Sequence, residues 1–544
     1  MEPLFSLKKS AVVEPLVNRW SAYSQCISPL TASLYANHYQ VPNLRQYLQS
    51  PELAVEACKN PKYRAGRFVN IPVVRAKEVE AFLAQSEKEY ANSIRMAQET
   101  LRFQAQLTAA ASAGLPLAPF YARVPDELRG YVELVYDYFT RPGMRVIEPL
   151  LYESKHYKPH LQSFRLFSLK NDRSREFIFS TPRLPNTAEI DWQVRFDDPK
   201  VDALFALDTT PQPLSAIREL LDMPASSDAL LRTLFAETPM PEPRRQGTGH
   251  IRVQHFGHAC VLIEWNGTSI LIDPCFGPTP TEETEKRLSY NDLPAHIDYA
   301  LITHNHHDHF SLETLLRIRH RLGCLVVPRS HGLHYGDISL KLLSRKLGFR
   351  NVVEVDTLDT LPLPDGRIVA VPFLGEHSDL PHSKTAFVIE IGKQRMMFAA
   401  DSDCLDARQY EHLARVLGPV QTVFLGLECV GAPMSWSCGA FFPVKPTMQQ
   451  DQTRRQHGSD SERGMRMLRA LGAKRLYVYA MGLEPWYEWL LGLAYTDDAQ
   501  QIKEMKKILM DAKNAGLADA RLLTAKTTIV IEDVQQEEAE HAVS

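Results

Sequence analysis

The sequence predicts a two-part α/β protein: a mixed α+β N-terminal domain over residues 1–245, a C-terminal domain of sheets covered by helices over 246–532, and a flexible tail at 533–544. Three observations carry this prediction. The chain has 544 residues, more than one hydrophobic core usually supports. The stretch Glu237–Gly249, "ETPMPEPRRQGTG", holds three prolines and two glycines without an apolar period, which marks a linker. After it the texture changes to short apolar runs broken by turn residues and amphipathic segments.

In the first part, Lys77 to about Ala113 reads as one long helix. Val79, Phe82, Leu83, Tyr90, Ile94, Ala97 and Leu101 recur at three- and four-residue steps, and Gly114 with Pro116 ends the pattern. Such a stripe packs against a neighbouring helix or a second subunit, so a homodimer is one expectation. A second helix is expected over Pro125–Phe139. "HLQSFRLFSL" and "REFIFSTPRL" read as strands. No catalytic motif stands out in this region.

In the second part, "HACVLIEWNGTSILID" is two strands joined by Asn266-Gly267, a two-residue hairpin signal. Further strands are expected at Tyr299–Thr303, Cys324–Val327, Ile368–Pro372, Ala386–Ile391, Arg395–Ala400, Thr422–Gly426 and Leu476–Tyr479. Helical patterns such as "SLETLLRIRHRLG" and "SERGMRMLRALG" lie between several of them.

Composition narrows the partners. With 44% hydrophobic residues, 23% charged residues and a net charge of −4, the chain has no basic excess to neutralise a phosphate backbone, so nucleic acid is not expected. Neither an export signal nor a run of about 18 apolar residues is present, so no membrane association is expected. The eight cysteines are scattered without CxxC spacing, which suggests buried thiols in a reducing cytoplasm.

The chemistry concentrates in "LITHNHHDHFSLETLL". His304, His306, Asp308 and His309 form HxHxDH between an apolar strand and a helix opened by Ser311. A strand-to-helix loop can turn His304 and His306 toward one ion while Asp308 and His309 face a second, about 3.5–4 Å away. Solvated or core histidines rarely cluster in this spacing, so a dinuclear site is the expectation.

Those residues, with the hairpin ending in Asp273-Pro274, resemble the metallo-β-lactamase superfamily, which implies an αββα sandwich over about residues 250–530. The resemblance places further ligands at downstream strand ends: Glu376 or His377 in "VAVPFLGEHSDL", and Asp401 as the carboxylate shared by both metals, with Asp403 as its substitute. Hydrolases of the superfamily usually carry a final histidine where this chain has Ala480, Met481 and Gly482. One nitrogen ligand is therefore missing, and if Glu376 binds, the site holds three histidines and three carboxylates. Hard anionic oxygens of that kind suit iron better than zinc.

The combination is similar to a narrower family, the non-haem diiron β-hydroxylases of the chloramphenicol-pathway type. The similarity rests on "THNHHDHFSLETLLRIRH", on "GEHSDL" and on an N-terminal region of about 245 residues. It implies two iron ions, dioxygen as co-substrate, and hydroxylation of the β-carbon of an amino acid held as a thioester on a carrier domain of a nonribosomal peptide synthetase. By this resemblance His304, His306 and Glu376 hold one iron, Asp308 and His309 the other, and Asp401 is shared. Glu376, able to change between one- and two-oxygen coordination, would be a catalytic switch, and His377 a residue behind the ligands. Electrons would come from an external reductase or ferredoxin, since no GxGxxG strand-turn-helix context appears.

"LGLECVGAPMSWSCGAFFPV" places Glu428, Met434, Trp436, Phe441 and Phe442 after a strand, either as a substrate wall with Glu428 anchoring the amine or as ordinary core. "AMGLEPWYEWLLG" reads as core packing, and Arg244 with Arg245 as solvated linker charge rather than a docking site for the carrier. Two rival readings stand beside the hydroxylase. One is a dinuclear zinc hydrolase acting on a thioester, lactone or phosphodiester, with His377 as ligand; the other is a scaffold whose metal is only structural.

Overall fold

The computed structural model describes residues 2–60, 63, 68–110, 116–137, 140–238, 249–282, 286–332, 334–375, 377, 383–453, 455–492 and 494–532. Glu376, Arg244, Arg245, Phe139, most of the expected linker and the tail from 533 lie outside these residues.

Two seven-stranded sheets form the second half of the chain. Across the first run Val352–Val355, Leu322–Pro328, Ile297–Leu301, Thr268–Ile272, Cys260–Trp265, His250–Gly257 and Thr528–Glu532. The second runs Thr360–Leu363, Gly366–Val371, Ala386–Ile391, Gln394–Phe398, Thr422–Leu425, Arg475–Val478 and Asp519–Leu522. Alternate residues of both sheets, among them Ile251, Ile263, Leu301, Ile389, Phe398 and Tyr477, meet in one buried layer between them. Helices Ala407–Leu417, Ser461–Leu471 and Gln500–Asn514 cover the outer face of the second sheet. The αββα layering expected from the motif is therefore present.

The hairpin at Asn266-Gly267 turns as its sequence requires. Both residues have positive φ, 43° and 89°, and Trp265 pairs with Thr268 across the turn. The remaining expected strands of this half appear within a few residues of their predicted ends.

The N-terminal residues build a four-stranded sheet around Ala11–Val17 and Gln162–Ser168, a three-stranded sheet around Leu4–Leu7, and a helical layer. The long helix spans Ala76–Ala110. Its buried Val79, Phe82, Tyr90 and Ala97 pack within the chain, and helices Pro29–Tyr35 and Val41–Gln49 lie against it. The apolar stripe thus has an intramolecular partner.

Two expectations are corrected here. Residues 125–131 form turns, and Val132–Tyr136 is a strand paired with Pro142–Val146, not part of a helix. Gly130 takes φ 83°, which interrupts helical continuation, and Val132 and Leu134 alternate inward with a period of two. "REFIFSTPRL" is irregular rather than a strand. Its backbone N–H groups go to loops instead of a ladder, Ile178 to the Trp489 carbonyl and Arg183 to that of Arg19.

The two halves share a core. Phe5, Leu7, Val13, Phe164 and Phe205 pack in one cluster with Leu262, Leu271, Leu312 and Leu325 from the first sheet and the helix that covers it. Buried charges cross the same boundary. Arg175 pairs with Glu313 at 2.7 Å and lies 3.5 Å over the Trp489 ring; behind it, within the N-terminal half, Arg183 pairs with Glu14 at 2.7 Å. Glu313 opens helix Leu312–Ile318, directly after the histidine-rich loop, so the N-terminal half braces that loop. Among the described residues no helix is long and apolar enough to cross a membrane.

Candidate metal centre

The chemistry-bearing side chains lie beyond the carboxyl ends of strands, where parallel neighbours diverge and leave a crevice. Ile297–Leu301 leads into the loop 302–311, Thr268–Ile272 into Asp273, Gln394–Phe398 into Asp401, and Thr422–Leu425 into Glu428. His258, Asp273, Ala400 and Ala480 all take left-handed backbone conformations, with φ between 41° and 52°. Non-glycine residues in this conformation are strained, and here they ring one site. Gly426 answers a different need: a Cβ there would lie 2.9 Å from Asp401 Oδ1 and from the Ala400 carbonyl oxygen.

His304, His309 and Asp401 bring ligand atoms within 4.8 Å of one another, as do His304, His306 and His377, and His258, Asp308 and His309. His309 Nε2 is 3.0 Å from Asp401 Oδ2, and His304 Nε2 is 3.7 Å from the same oxygen. All the expected ligands within the described residues therefore converge. Asp403 does not join them; it is buried against Arg463 and accepts from the Cys404 N–H. His377 is closer than expected of a residue behind the ligands: its Nε2 is 2.9 Å from His306 Nδ1 and 3.3 Å from Asp401 Oδ2.

Outer contacts orient the rings. His309 Nδ1 faces Asp273 Oδ2, His304 Nδ1 lies 3.0 Å from Thr303 Oγ1, and His377 Nδ1 lies 3.3 Å from the Gln456 carbonyl oxygen. Each leaves an Nε2 directed at the cluster, the arrangement of metal-binding imidazoles.

The electrostatics also fit a cation. Burial, reinforced by neighbouring histidines, pushes His304 well down and His306 down to about 3, so both rings stay in the neutral ligand form. Burial opposes charge on Asp401, but His377 and His309 bring its carboxyl down to about 2. Burial and the carboxylates of Asp401 and Asp308 push Glu428 well up. His304 Nε2 and Asp401 Oδ1 are buried without a hydrogen-bond partner among the described residues. Unpartnered buried polar atoms carry a desolvation cost of about 1–3 kcal/mol each, which metal ligation removes. These donors suit two cations.

A cavity of about 420 Å³ adjoins the cluster at His306, Asp308 and His377. Of the segment read either as a substrate wall or as ordinary core, Glu428 and Trp436 line the cavity, whereas Met434 and Phe441 are buried in a core cluster. The opposite wall comes from the N-terminal half, where sequence reading found no chemistry. Tyr23 and Phe179 set ring edges against His307 at 5.7 and 5.5 Å, and Phe179 meets Trp436 at 5.5 Å. Three residues beside the candidate ligands were also missed: His258, Thr303 and Tyr487. Only the Gly257-His258 pair at a strand end gave a local signal, and a short one.

Comparison with known proteins gives a consistent picture. Residues 6–239 match the diiron non-heme beta-hydroxylase N-terminal domain, and residues 268–479 match a beta-lactamase superfamily domain. The 4-amino-L-phenylalanyl-[CmlP-peptidyl-carrier-protein] 3-hydroxylase of Streptomyces venezuelae is 32% identical over 533 residues, covering 96% of this chain and 99% of that one. The crystal structure of CmlA, a diiron beta-hydroxylase from Streptomyces venezuelae, superimposes with a TM-score of 0.89 at 30% identity, covering 98% of this chain and 100% of the other. A glutamate-to-aspartate mutant of the CmlA beta-hydroxylase matches with a TM-score of 0.87 at 31% identity, covering 96% and 99%.

Proposed function

We propose, because this chain belongs to the CmlA-type non-haem diiron β-hydroxylases, that it hydroxylates the β-carbon of an aromatic aminoacyl group held as a thioester on a peptidyl carrier domain. As a member of that family it is an enzyme that works with two iron ions and dioxygen, and the zinc hydrolase reading falls away. The observation carrying the substrate proposal is the aromatic cavity of Tyr23, Phe179 and Trp436 against the candidate ligands. Flat apolar walls of this kind stack on an aromatic side chain.

The ligand assignment is also a proposal. His304, His306 and Glu376 would hold the first iron, Asp308 and His309 the second, with the Asp401 carboxylate shared between them. The position of His377, with Nδ1 set toward the Gln456 carbonyl and Nε2 toward the cluster, favours a second reading in which it too binds the first iron. When bound, the irons supply the reduction and cleavage of dioxygen. One oxygen atom enters the Cβ–H bond and the other leaves as water, with two electrons and two protons from outside. The electron donor is an external reductase or ferredoxin.

The chain's residues do the placing. Glu428, in the cavity wall with its Oε2 3.9 Å from His377 Nδ1, anchors the α-amine. Tyr23, Phe179 and Trp436 hold the side chain and exclude water, so the β-carbon rather than solvent lies beside the candidate ligands. Eight free thiols support a reducing, cytoplasmic location. The test is iron analysis and Mössbauer spectroscopy, followed by reduction and oxygen exposure with an aromatic aminoacyl carrier domain. About two irons per chain and a β-hydroxylated product are expected; stoichiometric zinc with oxygen-independent thioester cleavage would overturn the reading.

A further inference from the structure

We propose that His258 and Tyr487 form a pair of hydrogen-bond donors that fix the Asp308 carboxylate at the second iron, a positioning role that rests on the ligand assignment above. Tyr487 donates its hydroxyl to Asp308 Oδ2. His258 Nε2 is 3.0 Å from the same oxygen and 3.4 Å from the tyrosine hydroxyl. Two donors on one carboxylate oxygen set the plane of the group and draw off part of its charge, which controls how strongly Asp308 binds a metal.

The chain keeps these two side chains in place at some cost. His258 sits in the turn between His250–Gly257 and Cys260–Trp265 with φ 47°, a left-handed conformation unfavourable for a residue with a Cβ. Its N–H donates to Glu484 Oε1, and its carbonyl accepts the Ala480 N–H at 2.8 Å. The carbonyl also lies 2.8 Å from His255 Nε2. The imidazole is buried and packs at a tilt against the Tyr487 ring with centroids 4.6 Å apart.

Room for Tyr487 comes from a position that looked deficient in the sequence. Gly482 takes φ 63°, and a Cβ there would fall 2.4 Å from Tyr487 Cε1. Where the superfamily's hydrolases place a final histidine, this chain has Ala480-Met481-Gly482 and fits a tyrosine ring instead. Gly257 serves the same corner: with φ 124°, its Cβ would stand 3.0 Å from Trp486 Cζ2. Both glycines thus leave room for the Trp486-Tyr487 corner that carries the donor to Asp308.

His258 Nε2 is also 3.3 Å from His309 Nε2, close enough for direct ligation, so the test must separate a donor from a ligand. The full-length protein and its His258→Ala, His258→Gln and Tyr487→Phe variants are loaded with iron. They are then challenged with a ferrous chelator and examined by Mössbauer and X-ray absorption spectroscopy. His258→Ala and Tyr487→Phe are expected to lose one of the two irons at least tenfold faster than wild type, with only one iron's spectrum altered. His258→Gln, which keeps a donor N–H, is expected to recover most of the retention. Should His258→Ala fold poorly, Tyr487→Phe, which removes a single oxygen, decides the matter.

The proposal is overturned if Tyr487→Phe and a folded His258→Ala hold both irons as tightly as wild type. It is equally overturned if His258→Gln behaves as His258→Ala and one imidazole disappears from the absorption spectrum, which makes His258 a ligand. Failure of the wild type itself to bind two irons would overturn the diiron assignment beneath it.

Discussion

His309 Nδ1 stands 2.8 Å from Asp273 Oδ2, and Thr303 donates to both oxygens of that aspartate, from its N–H to Oδ1 and from its Oγ1 to Oδ2, each at 2.7 Å. The carboxylate at the end of one strand therefore fixes the tautomer of a ring at the end of the next, leaving His309 Nε2 for the metal. Asp273→Ala is expected to weaken iron at the Asp308–His309 position by about 10–100-fold. Competition with a ferrous chelator measures this, and a shift in neither iron would remove Asp273 from the metal's support.

The neighbouring pair Glu376 and His377 separates the two readings of the first iron. Glu376→Ala is expected to lower hydroxylation at least a hundredfold, a barrier increase of about 2.7 kcal/mol. His377→Gln is expected to cost about tenfold if it only orients Asp401. Single-turnover oxygenation of both variants gives the order, and the reverse order places His377 on iron.

Phe179 joins Tyr23, His307 and Trp436 through ring contacts of 5.2–5.5 Å. Removing it in Phe179→Ala opens the cavity beside the ligands to water. More oxygen should then be consumed per hydroxylated product, by severalfold, with iron content unchanged. Parallel measurement of oxygen uptake and product tests this; an unchanged ratio would show that the aromatic wall does not protect the reaction.

Glu14 gives the molecule an acid-side dependence through an ion-pair cluster behind the histidine-rich loop. Burial alone would raise its carboxyl, but Arg183, with Arg175 and Arg165, brings it down from 4.5 to about 2. A depressed folded-state value stabilises the protein fully above the unfolded value and loses that contribution as pH falls through 4.5 toward 2. The contribution near neutrality is about 3 kcal/mol. Glu14→Gln is expected to destabilise the protein near neutrality, because buried arginines lose their partner, and to flatten the decline in stability between pH 5 and about 2. Urea titrations across that range show it.

What the sequence made legible was local. Four candidate donors, His304, His306, Asp308 and His309, lie in one short loop, so spacing alone announced them; Glu376 and Asp401 came only with the family resemblance, and Asn266-Gly267 announced its own turn. His258, Asp273 and Tyr487 reach Asp308 and His309 only after separate strands pack, which no periodicity encodes. The failed helix at 125–139 shows the same limit: Gly130 and the inward alternation of Val132 and Leu134 outweighed a helical-looking run. The N-terminal wall stayed invisible because Tyr23 and Phe179 look like any core aromatics until the two halves close on each other.

The edge of the first sheet has a consequence for biosynthesis. His250–Gln254 pair with Thr528–Glu532, so this edge closes only after the whole interval between the two segments has been made. At roughly 5–20 residues per second the ribosome takes some tens of seconds to cover that interval. Early in it the N-terminal half, already made, presents the apolar surface until Leu262, Leu271 and Leu325 arrive to cover it. Such a nascent chain is a natural client for holding chaperones, and slowing synthesis by cooling should raise the yield of folded protein more than adding iron does.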